Sequence, residues 1–134
     1  MLLEERINIL RPALAKAAQE VYDAWEQNEE GFCDALGYGG ICQDIADEHA
    51  ALIYEVLDDV EAAPISSNFE QHVYVVVADD DEAVIVDIPP SVYEVGAGFC
   101  WKKIPGVEFH PEDIVIYPVD RDDFIDEDGE WFEF

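Results

Sequence analysis

Positive charge is scarce in this sequence. Its 134 residues hold three lysines and three arginines against 33 acidic side chains, for a formal net charge of −27. A surface of that sign repels phosphate backbones, so ordinary DNA or RNA binding is disfavoured. Long apolar runs are also missing. Nothing approaches the roughly 18 uninterrupted apolar residues of a membrane-spanning helix, and no basic stretch leads into an apolar one as in a secretory signal. Cysteine is sparse too: Cys33, Cys42 and Cys100 make an odd count with no CxxC pair. A disulfide framework is therefore not expected, and free thiols in a cytoplasmic, reducing setting are. The three cysteines and His49, His72 and His110 are spaced like no known zinc site, so neither a metal nor another cofactor is expected.

What the chain does contain is apolar. Half of its residues are hydrophobic and 12% are aromatic, which separates it from acidic disordered chains. The length suits one domain, residues 1–134, with a single substantial core. Three readings of the acidity stay open at this level. It is a solvated surface adapted to high salt, a plain solubility device, or a mimic of DNA that occupies the basic groove of another protein.

Leu3, Ile7, Leu10, Leu14, Ala17, Val21 and Trp25 recur at helical steps and predict an amphipathic helix. Pro12 interrupts it, either as a kink or as the first turn of a second helix. Residues 28–40 read as a glycine-rich loop. From Cys42 to about Leu57 a helical stripe of Ile45, His49, Leu52 and Val56 returns, with Ala46 and Ile53 beside it. His49 on that stripe reads as a satisfied core histidine. The period then changes to that of strands: Val60–Ile65, His72–Ala78 and Ala83–Ile88, the last two joined as a hairpin through Asp79-Asp80-Asp81-Glu82. Pairing across that turn follows positions that sum to about 161. Pro89-Pro90 stops the hairpin, and further short strands are predicted at Val92–Val95, Phe99–Lys103 and Ile114–Val119. The acidic and aromatic tail from Asp120 to Phe134 covers the sheet or docks on a partner. The fold class is α+β: a helical part over about 1–58, then a mostly antiparallel sheet over about 59–134.

Gly39-Gly40-Ile41-Cys42-Gln43-Asp44-Ile45-Ala46 carries the chemical signal. A thiol at a helix start lies beside unpaired N–H groups and the positive end of the helix dipole, both of which favour thiolate. The Cys42 N–H is a donor for a developing oxyanion. His72, opening a strand, has the reach of a general base, and Asp87, near the end of the next strand, that of the group which orients it.

Gly40-Ile41-Cys42-Gln43-Asp44-Ile45-Ala46, His72-Val73-Tyr74-Val75-Val76-Val77 and Val84-Ile85-Val86-Asp87 together resemble the core of the transglutaminase-like, papain-fold cysteine peptidase superfamily. The resemblance spans about residues 37–90. It implies Cys42 as nucleophile, His72 as general base and acid, and Asp87 as orienter, on a papain-like core. The upstream glutamine that often completes the oxyanion hole in that family is missing. Gln27, Asn28 and the Tyr38 hydroxyl are the candidates to replace it. The expected activity is acyl transfer by a thiol, chiefly hydrolysis of an amide or peptide bond, on a peptide or protein substrate that a basic character would draw in. No nucleic-acid or membrane partner is expected. The rival from another class is a non-catalytic acidic binding module, an inactive papain-like fold or a DNA mimic.

Overall fold

Pro12 starts a helix instead of kinking one. In the computed structural model, which describes residues 1–27, 41–67, 72–88 and 108–132, α1 spans Leu3–Asn8 and α2 spans Arg11–Gln27. Proline is well accommodated in a first turn, where its missing N–H has no intrahelical partner to lose. The break at Ile9-Leu10 resets the helical phase. The buried row of α2 is accordingly Leu14, Ala15, Ala18 and Tyr22, whereas the unbroken periodicity predicted Ala17 and Val21, which are half-buried. Trp25 and Gln27 belong to the helix, but their side chains lie outside the described residues.

The third helix, α3, covers Ile41–Val56, so its first turn holds Cys42. Its buried row is Ile45, Ala46, His49, Ala50 and Ile53. The predicted stripe is thus rotated at its far end, where Val56 is 55% exposed and Leu52 is half-buried. The helix contacts α2 on one side and the first two strands on the other.

Four strands follow: β1 Glu61–Ser67, β2 His72–Ala78, β3 Ala83–Asp87 and β4 Val115–Val119. They form an antiparallel sheet in the order β1-β2-β3-β4. The central hairpin has the expected register, Val75 opposite Val86 and Ala78 opposite Ala83. Its turn is fastened by the Asp79 carboxylate, which accepts from the Asp81 and Glu82 amides at 2.9 and 2.6 Å. The strands predicted at 92–95 and 99–103 lie outside the described residues.

Both faces of the sheet are covered, which explains why β2 and β3 are apolar at every central position. One row, Val73, Val75, Val77, Val84 and Val86, joins the core under the helices. The alternate row, Tyr74, Val76, Ala78, Ala83 and Ile85, packs under Phe124, Ile125 and Trp131 from the C-terminal segment. That segment covers the sheet, one of its two predicted roles. It is pinned where the Trp131 indole N–H donates to Glu61 at 2.6 Å.

The N-terminal helices are tied in from a distance. The Leu3 amide donates to the Glu82 carboxylate at 3.1 Å, and Arg6 forms a two-pronged pair with Asp59. Arg11 donates to the Pro111 and Ile114 carbonyls, and the Phe109 amide donates to Gln19 at 2.8 Å. Tyr22 meets Phe109 edge to face, with ring centres 5.9 Å apart. Among the described residues, no helix is long and apolar enough to cross a membrane.

Candidate functional site

Chain direction brings the candidate residues to one end of the fold. The start of β1 pairs with the end of β2, Glu61 opposite Ala78, and the end of β1 pairs with the start of β2, Ser67 opposite His72. The C-terminal end of α3 leads directly to Val60 and β1. Its N-terminal half therefore lies over the start of β2 and the end of β3. There Ile45 and His49 meet Val73, Tyr74, Val86 and Asp87 with no water-sized void between them. Cys42 is in the first turn of α3, His72 is the first residue of β2, and Asp87 is the last of β3.

Strand alternation adds a constraint. Asp87 follows Ala83 and Ile85 in the row under the C-terminal segment, and α3 packs against the other row. His72 stands opposite Ser67 of β1 in the sheet register. The Cys42 and His72 side chains themselves lie outside the described residues, as do Asn28 and Tyr38, Cys33 and Cys100.

Asp87 is half-buried, and its Oδ1 accepts from the Ile88 amide at 2.8 Å. It also lies within electrostatic reach of His49, a proximity that sequence reasoning missed. His49 is 1% exposed. Its Nε2 is 2.8 Å from the Leu14 carbonyl oxygen of α2. A carbonyl can only accept, so Nε2 carries the proton and the neutral ring leaves Nδ1 bare. Burial pushes the His49 imidazole below its ordinary value, while the Leu14 carbonyl and Asp87 pull the other way. The signal that could have found this pair was the phase of α3. A stripe through Ile45, His49 and Ile53 aims His49 at the sheet, over the ends of β2 and β3.

The other end of the sheet is an acidic surface. Two open hollows of about 440 and 420 Å³ flank the Asp79–Glu82 turn and share Asp80 and Arg121. Arg11 and Arg121 are spent on backbone carbonyls, Arg121 donating to that of Asp79 at 2.8 Å, and Arg6 on Asp59, so three arginines offset little of the acidic charge. No cluster of three or more histidine, cysteine or acidic side chains among the described residues could hold a metal ion.

Comparison with family models, with curated proteins and with solved structures finds no match to this chain.

Proposed function

We propose that this protein is a cytoplasmic thiol-dependent acyl-transfer enzyme that hydrolyses an amide or peptide bond. Cys42 is the nucleophile, His72 its general base and acid, and Asp87 the group that orients the imidazole. The observation that carries this reading is the gathering of the first turn of α3, the start of β2 and the end of β3 at one end of the fold. Cys42 thiolate, favoured by the N-terminus of a 16-residue helix, attacks the substrate carbonyl. His72 takes the thiol proton and returns it to the leaving amine. Water, deprotonated by the same imidazole, then resolves the acyl-enzyme. The net charge of −27 attracts a basic peptide substrate.

The test is the rate at which iodoacetamide labels Cys42 as a function of pH, with Cys42→Ala locating the signal. The expected profile is well advanced at pH 6 and moves toward that of an ordinary thiol in His72→Asn. If Cys42 reacts at pH 6 no faster than a thiol of pKa about 8.5, the proposal fails.

One observation favours a second reading, a non-catalytic acidic module that docks on a basic partner. Both acidic hollows lie at the end of the sheet away from Cys42. In that case Cys42→Ala leaves binding to a basic protein intact, and free DNA competes the partner away.

A further inference from the structure

We propose that His49 is an acid-release latch, which holds the Cys42-bearing helix against α2 and the end of β3 while its ring is neutral and lets it go when the ring takes a second proton. The latch stands on what three elements bring to the ring. From α2 comes the Leu14 carbonyl at 2.8 Å. From β3 comes Asp87, whose carboxylate is engaged by the Ile88 amide. From β2 come Val73 and Tyr74, which with Val86 and Asp87 line a space beside the ring too small for a water molecule; the Tyr74 side chain itself packs in the opposite row. The acids of α3 itself, Asp44, Asp47 and Glu48, are exposed. No basic group among the described residues lines that space.

Protonation leaves the Nε2–H bond to Leu14 in place but adds a proton to Nδ1 and a positive charge in a dry setting. Asp87 offsets part of that cost, and burial outweighs it. A histidine in an opened junction is protonated near pH 6.5, the packed one only at lower pH. The open form therefore binds more protons inside that window. The packed form loses ground as pH falls through it, by at most tenfold per pH unit for one proton. The latch itself does not depend on acyl transfer. Its bearing on Cys42 rests on the proposal above.

Hydrogen exchange of the α3 amides from pH 8 to pH 5, corrected for the intrinsic pH dependence, tests it on the full-length protein. Protection of residues 45–53 is expected to fall below about pH 6.5, while protection of the β2–β3 hairpin holds. The fall should begin above the pH at which the packed His49 ring itself gives the imidazolium signal in a nitrogen-15 NMR titration, as the linkage requires. His49→Gln, whose amide can still donate to Leu14 but cannot titrate, should abolish the pH step. Asp87→Asn should move the packed ring's own titration to lower pH and deepen the loss of α3 protection below pH 6.5. A ring that protonates with α3 protection unchanged overturns the latch, as does a step that survives in His49→Gln. If the glutamine variant does not fold, the comparison of ring titration with exchange in the unaltered protein decides by itself. A step in α3 protection with ordinary Cys42 labelling keeps the latch and removes only the acyl-transfer reading.

Discussion

Added salt should stabilise this protein, and the size of the effect follows from how its charges are arranged. Two carboxylates about 6 Å apart, the spacing of helical neighbours three or four positions distant, repel by about 0.7 kcal/mol in unscreened water. The Debye length falls from about 10 Å at 0.1 M to about 3 Å at 1 M, which leaves about 0.4 and then about 0.1 kcal/mol. Each such contact is thus relieved by about 0.3 kcal/mol. Asp44 reports the crowding directly. Its carboxyl titrates above its ordinary value, first through partial burial and then through the charges of Asp47 and Glu48. The 33 acidic residues form on the order of ten comparable contacts at helical and turn spacings, for a relief of about 3 kcal/mol. The unfolded chain keeps part of the repulsion, so the expected gain in Tm from 0.1 to 1 M NaCl is about 5–10 °C. Opposing this is the exposed Arg6–Asp59 pair, which salt weakens, but one attraction does not balance many repulsions. Differential scanning calorimetry in NaCl and in sodium sulfate separates screening from surface exclusion. Screening acts in both salts and is nearly complete by 1 M, whereas exclusion keeps rising in sulfate alone. Asp44→Asn should reduce the response. A Tm that is flat or lower in 1 M NaCl would refute the argument that self-repulsion limits stability.

Three further substitutions test the architecture. Ile53→Ala, at a fully buried position of α3, should cost about 2–5 kcal/mol in urea denaturation; the exposed Tyr54→Ala beside it should cost little. Gly129 has φ +81° with open space where a Cβ would go, so Gly129→Ala carries only the backbone penalty, about 1 kcal/mol, and a neutral result would show that the turn relaxes. Pro64 and Pro118 each interrupt an outer strand of the described sheet. Pro118→Val restores an N–H on that edge and should make sedimentation concentration-dependent, because a bare strand edge pairs with another chain.

Local signals in the sequence were enough where one short segment settles its own structure. The β2–β3 hairpin was legible down to its register, because β-branched runs flank a single acidic turn and leave only one way to pair. The start of α3 was legible from Gly39-Gly40 and the renewed helical period. The phase of the helices was not. Apolar residues fall on more than one side of α2, and only the break at Ile9-Leu10 makes Tyr22, not Val21, the buried member. In α3, Ile53 and Val56 are equally apolar, and packing against β1 and β2 chooses Ile53.

The same limit governs the site. Cys42, His72 and Asp87 can be read from order and spacing, and so can the expectation that they gather at one end. Which row of the sheet meets α3 cannot, because a one-residue change in the link between α3 and β1 would exchange the rows without altering any motif. The observed row brings Val73, Val75 and Val86 under the helix, and it sets His49 against the end of β3. The geometry separates two roles that order alone would merge. Asp87 lies within electrostatic reach of the His49 ring and is also the proposed orienter of His72, so Asp87→Asn should alter both Cys42 labelling and the acid release of α3, whereas His72→Asn should alter labelling only.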